Sequence, residues 1–152
     1  MDTLIVLCAK YLIWAVVAAG LVYFVMSKEW RRLGIFALAS LALAYAGGKV
    51  AGLLWYDPRP FVVNGTTPLV AHAANNGFPS DHMLLGAAIA SIVFVYNRTL
   101  GILLWVLALA AGLARVAAGI HHLADLAGSI AVAVVAVAVV EYFFPHKKTL
   151  SL

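Results

Sequence analysis

Charge is what this sequence has least of. Of its 152 residues only 11% are charged and 65% are hydrophobic, with a mean hydropathy of +1.03. A soluble domain is near half apolar and a quarter charged, so the composition excludes that class and implies an integral membrane protein. The length predicts a single domain over 1–152. Cysteine is nearly absent: Cys8 stands alone, which excludes an internal disulfide and a cysteine-based metal cage. The net charge of +4 would suit nucleic acid, but the basic residues form no stripe or aromatic-interleaved patch. They flank apolar runs, where the positive-inside rule places them, and no nucleic-acid partner is expected. No small-residue cleavage site followed by a polar chain appears, so the first run is expected to be a retained helix.

What is present is a series of apolar runs. They predict an all-α bundle of about five transmembrane helices, over about Thr3–Met26, Leu33–Tyr56, Ser80–Tyr96, Leu100–Ala114 and His122–Val140. Gly47-Gly48-Lys49 reads as a break in the second run. The segment from Asp57 to Pro79 reads as the longest non-helical stretch, with Asn64-Gly65 and Asn75-Asn76-Gly77 as turn signals. Lys28, Arg31, Arg32, Arg98, Lys147 and Lys148 collect on one side, which should be cytoplasmic. The N-terminus is then expected outside and the C-terminus in the cytoplasm, with the long loop and the Gly119–His122 turn facing outward.

Polar residues recur at one height. Lys49 lies 17 residues from Arg32, His82 16 from Arg98, Arg115 17 from Arg98, and Asp125 16 from Glu141. At about 1.5 Å per residue each is roughly 24–26 Å above the inner boundary. Four helices thus bring a polar group to one level near the outer interface. Polar groups at membrane depth are expensive and tend to be functional.

Their types point to phosphate chemistry. Pro79-Ser80-Asp81-His82 before an apolar run is a helix start, whose free N–H groups and dipole favour an anion. Ser80 adds a hydroxyl, and His82 in the first turn can give a proton to a leaving oxygen. Arg115 is a fork of donors suited to phosphate oxygens. His121 and Asp125 are four apart and share a face if the fifth helix begins by His121. A carboxylate on one imidazole nitrogen leaves the other free as a nucleophile. His122 would point about 100° away. Prolines on both sides of Arg59 stiffen the chain and help aim its guanidinium. Lys49 is either a member of this set or a snorkelling side chain.

Taken together, these clusters resemble the type-2 phosphatidic acid phosphatase superfamily, whose signature is K-x6-RP, PSGH and SR-x5-H-x3-D. Arg59-Pro60, Pro79-Ser80-Asp81-His82, and Arg115, His121 and Asp125 carry the likeness. The resemblance implies that His121 attacks phosphorus and His82 protonates the leaving group, while Asp125 orients His121. It implies that Arg59, Ser80 and Arg115 hold the phosphate, with no metal and no cofactor. The sequence departs from the pattern at three positions. Gly52 stands where the family lysine belongs, with Lys49 one turn earlier; Asp81 replaces glycine; Ala114 replaces serine.

Asp57-Pro58-Arg59-Pro60-Phe61, His72-Ala73-Ala74 and Phe78-Pro79-Ser80-Asp81-His82 are similar to the bacterial undecaprenyl-diphosphatase branch, the bacitracin-resistance type. There aspartate often takes the glycine position, which makes Asp81 less of an anomaly. This implies a polyprenyl diphosphate substrate in the bilayer and an outward-facing site in the bacterial plasma membrane. His72 is a possible contact to the headgroup, and a plain loop histidine is the competing reading. Phosphatidic acid or phosphatidylglycerophosphate is the alternative substrate. Two other classes compete: a zinc site on His82, His121, His122 and Asp125, and a transporter, which would need polar groups at several depths.

Overall fold

The computed structural model describes residues 1–146. Lys147 and Lys148, which the topology reading uses, lie outside the described residues. The described residues form six helices: α1 (Asp2–Met26), α2 (Trp30–Leu54), α3 (Pro60–Asn64), α4 (Asp81–Tyr96), α5 (Arg98–Ala117) and α6 (Leu123–Phe143). Among the described residues there is no strand, only a lone antiparallel bridge between Pro58 and Asn76. Four helices are long and apolar enough to cross a membrane, and α4 is a shorter apolar one. Large apolar side chains such as Leu53, Leu54, Val135 and Tyr142 face outward, as lipid solvent allows.

The centre is α4. It packs against α1, α2, α5 and α6 and buries Met83, Leu84, Ala87, Ala88 and Ala90. Small residues set these contacts, as close helix packing in lipid requires. A side chain at Gly86 would lie 3.0 Å from Ala108 Cβ, and one at Gly101 would run into the backbone of Phe94. The α4–α5 corner therefore closes over the single residue Asn97, whose Oδ1 accepts from Leu100 N at 3.0 Å and caps α5.

At 16 residues α4 is about 24 Å long, less than the roughly 30 Å of a hydrocarbon core. Its N-terminus thus begins at membrane depth, beneath the segment 55–80. Gly128 of α6 makes room there, because a side chain on it would occupy the ring of Phe78.

Several boundaries differ from the sequence expectation. Gly47-Gly48-Lys49 does not break α2. Gly48 is a packing position, where a Cβ would meet Leu84 Cδ2 at 2.6 Å. The segment 57–79 contains the short helix α3, started by Pro60 and stopped by Gly65 in the left-handed region at φ 61°. Finally, α6 begins at Leu123 with His122 as its N-cap, so His121 lies in the loop and not on the helix.

Candidate active site

The site is built where three irregular segments meet the N-termini of α4 and α6. The first is Asp57-Pro58-Arg59. Its register is fixed by 75–77: Asp57 N donates to Asn76 Oδ1 at 2.9 Å, and Gly77 N donates to Asp57 O at 2.8 Å. Asn76 Nδ2 donates in turn to Gly52 O and Trp55 O at 2.9 and 3.0 Å. The Arg59 guanidinium is buried and aimed by three bonds, from Nε to Asn75 Oδ1, Nη1 to Ile120 O and Nη2 to Asn76 O, at 3.0, 3.1 and 3.2 Å.

The third segment turns at Gly119, with φ 75°, and carries His121 and His122. His121 is only 3% exposed, and its Nδ1 lies 3.0 Å from Asp125 Oδ2. A buried carboxylate accepts, so Nδ1 carries the proton. The other ring nitrogen, Nε2, lies 3.5 Å from Arg59 Nη1. Arginine has only donors, so Nε2 presents a lone pair. Burial pulls the His121 pKa below its ordinary value; the Asp125 hydrogen bond opposes this, and the Arg59 and Arg115 cations reinforce it. The imidazole is therefore neutral and unprotonated at Nε2 near neutral pH. Burial likewise lowers the Arg59 pKa, with Asp125 and Asp81 opposing, and the guanidinium stays charged.

A cavity of about 510 Å³ gathers most of the expected residues: Lys49, Arg59, His72, Asp81, His82, Arg115 and His121 all line it. Of the four groups read at one height from the sequence, Lys49, His82 and Arg115 line this one cavity, and Asp125 does not. Arg115 is buried rather than snorkelling; Nη1 donates to Ala9 O at 3.3 Å, and Nε has no partner among the described residues. Asp125 and Ser80 stand behind the cavity wall. Asp125 backs His121. Ser80 occupies the N-cap position of α4, but its fully buried hydroxyl makes no cap hydrogen bond and has no partner among the described residues.

His72 is carried by a loop tied to the α5–α6 corner through Leu69 N to Ala118 O at 3.0 Å. Its ring lies edge-on to His121, 6.3 Å between centroids. Partial desolvation and the Arg59 cation hold its pKa below the ordinary value. Lys49 reaches the cavity from α2, its Nζ 5.0 Å over the Tyr45 ring.

Gly52, which occupies the family lysine position, is tightly packed: a Cβ would lie 3.1 Å from Phe78 O, so the neighbouring backbone would have to give by a few tenths of an ångström. The backbone of 76–79 is packed there instead. Sequence reasoning took Asn75 and Asn76 as turn signals and missed that they aim Arg59. It also missed the partner of His122. Its Nδ1 lies 2.9 Å from Asp57 Oδ2, 65 residues away, and no local signal announces such a pair.

Asp57, His122 and Asp125 bring three ligand atoms within 4.8 Å of one another. The hydrogen bond between His122 and Asp57, and those that Asp125 Oδ2 accepts from His121 and from His122 N, already use these atoms. The zinc alternative fits poorly, because His121 and His122 turn to different carboxylates.

Comparison with known proteins agrees with this geometry. The pattern of the PAP2 superfamily matches residues 33–148. The chain is 31% identical over 140 residues to the undecaprenyl-diphosphatase BcrC of Bacillus subtilis, covering 89% of this chain and 70% of that protein. It is 31% identical over 121 residues to the bacitracin transport permease protein BcrC of Bacillus licheniformis, covering 78% and 60%. To the putative undecaprenyl-diphosphatase YbjG of Escherichia coli it is 31% identical over 132 residues, covering 86% and 67%. The fold is similar to the crystal structure of a transmembrane PAP2-type phosphatidylglycerolphosphate phosphatase from Bacillus subtilis. There the TM-score is 0.69 at 21% identity, over 98% of this chain and 79% of that one. The chain belongs to the PAP2 superfamily: it is a multi-pass, all-helical membrane protein of the lipid phosphate hydrolase class.

Proposed function

We propose that this protein hydrolyses a polyprenyl diphosphate to the monophosphate and phosphate, at the outer face of a bacterial plasma membrane, through a phosphohistidine. The observation that carries the reading is the state of His121. Its Nδ1 is committed to Asp125, and its Nε2 lone pair stands 3.5 Å from the Arg59 guanidinium at a polar cavity.

Catalysis follows from this arrangement. Nε2 of His121 attacks the terminal phosphorus. The bond from phosphorus to the bridging oxygen breaks, and His82, kept protonated by the negative charge of the bound diphosphate, gives that oxygen its proton. Arg59, Arg115 and the N–H groups of the first turn of α4 neutralise the equatorial oxygens, with Lys49 as a further cation at the cavity edge. As positive charge develops on the His121 imidazole, the Asp125 carboxylate stabilises it. Water then attacks the phosphohistidine from the opposite side, and neutral His82 takes its proton. Phosphate leaves and His121 is restored. A buried donor without a partner costs about 1–3 kcal/mol. Among the described residues Arg115 Nε is such a group, and a phosphate oxygen in the cavity that Arg115 lines would satisfy it.

The diphosphate substrate rests on the relatives at 31% identity whose names carry it and on Asp81 and His72 at the cavity. The outward orientation rests on the basic residues at the far end. Phosphatidic acid and phosphatidylglycerophosphate are the alternative substrates, because they need the same catalytic set. Phosphate release by purified protein from undecaprenyl diphosphate, phosphatidylglycerophosphate and phosphatidic acid, with and without EDTA, tests the reading. EDTA-resistant release that favours the diphosphate supports it. A preference for either phospholipid moves the chain to the alternative, and release lost in EDTA and restored by zinc refutes the histidine mechanism.

A further inference from the structure

Two N–H groups, one buried and one partly buried, converge on one oxygen of Asp125. Oδ2 accepts from His121 Nδ1 at 3.0 Å and from the backbone N of His122 at 2.9 Å, while Oδ1 accepts nothing from the described residues. The angle of the carboxylate is thus set by the nucleophile and by one peptide group. That peptide belongs to the N-cap of α6, with extended backbone, φ −83° and ψ 161°, and a reciprocal capping box ties it to Asp125, with Asp125 N donating to His122 O at 3.2 Å. These ties fix His122 only to the turn that carries Asp125; its anchor to the rest of the site is its side chain, whose Nδ1 is 2.9 Å from Asp57 Oδ2. An ionised carboxylate accepts, so His122 carries its proton on Nδ1.

Asp57 is itself a fixed point. Its N–H and C=O are both bonded to 76–77, and two residues later Arg59 Nη1 bonds Ile120 O. The segments 57–59 and 120–122 are therefore joined at both ends, at Arg59 and at Asp57. One link carries the phosphate-binding cation and the other carries the peptide that orients Asp125. A half-exposed histidine–carboxylate contact adds little stability by itself, and the placement of this one points to a different role.

We propose that Asp57 and His122 are a positioning pair that holds Asp125, and through it His121 Nε2, in register with the Arg59 guanidinium. Neither touches the substrate. This rests on the reading of His121 as nucleophile. The pair acts on the reacting geometry, so its loss lowers kcat and leaves KM nearly unchanged.

Phosphate release from undecaprenyl diphosphate is measured for the wild type, Asp57→Ala, His122→Phe, the double variant, His122→Asn and His122→Gln, with a melting midpoint in detergent for each. An asparagine amide nitrogen reaches the place of Nδ1, whereas a glutamine amide nitrogen reaches that of Nε2. Asp57→Ala and His122→Phe should each lower kcat roughly tenfold to a hundredfold, the scale of a hydrogen bond to a charged group. The double variant should be no worse than the poorer single one. His122→Asn should recover most of the loss and His122→Gln little of it. Additive losses, a change confined to KM, equal behaviour of the asparagine and glutamine variants, or losses that track the melting midpoint would each overturn the proposal. His121→Ala separates the two levels: if it is as active as the wild type, the nucleophile reading fails; if it is dead while Asp57→Ala is unaffected, only the positioning pair fails.

Discussion

Asp125→Asn changes one oxygen into an amide nitrogen in a fully buried group, and the structure limits what can follow. Oδ2 receives two N–H groups at 3.0 and 2.9 Å. If the amide oxygen takes that place, both bonds survive and the carboxylate charge is lost. A charge-assisted hydrogen bond is worth about 1.5–3 kcal/mol. At about 1.36 kcal/mol per decade, and with positive charge growing on His121 during attack, this gives a fall in kcat of about a hundredfold. If the amide nitrogen faces His121, Nδ1 must accept and Nε2 must carry the proton. The nucleophile is then masked, and the loss approaches about ten-thousandfold, as for the equivalent change in a serine protease triad. Steady-state phosphate release gives kcat and KM, and a detergent melt shows that the variant is folded. A folded Asp125→Asn within fivefold of the wild type would refute the role given to the carboxylate.

Other expectations follow from the same contacts. Burial and two arginines depress the His121 pKa, so the neutral nucleophile persists below the ordinary histidine range and is lost only as pH falls through the depressed value. The acid limb of His121 ionisation, read by NMR on the free protein, should lie below about 6.5; a value above it contradicts the account. Gly52→Lys restores the family lysine in register but forces a Cβ to within 3.1 Å of Phe78 O, so it should lower both the melting midpoint and activity; a gain in activity would show the packing reading to be mistaken. Lys49→Ala removes a cation at the cavity edge and should raise KM several-fold, roughly the 1 kcal/mol scale of a partly exposed charge, with kcat within twofold. An unchanged KM would leave Lys49 a lipid-facing lysine.

Much of this was legible in the sequence because the membrane restricts the choices. Apolar runs must be helices, and charges at depth must be grouped, so counting from the inner boundary placed Lys49, His82, Arg115 and Asp125 at one level. The single-residue corner at Asn97 and the packing role of Gly48 were not legible, since both depend on which helix lies opposite. The fifth helix was expected from about His122, and a shared face for His121 and Asp125 only if it began by His121. It begins at Leu123, and the two side chains still meet because the loop turns His121 back over the first turn of α6. Asn76 serves Gly52, Trp55, Asp57 and Phe78 at once, which no spacing rule anticipates.

The central claim is that phosphate passes through His121. The most direct measurement is to stop turnover of a substrate labelled in its terminal phosphate and to map the protein-bound label. The account predicts acid-labile, alkali-stable label on Nε2 of His121, absent in His121→Ala and accumulating in His82→Ala, where neither half-reaction has its proton donor or acceptor but the second is slowed more. Turnover without label on His121, or label on His82 or His122 instead, would contradict it.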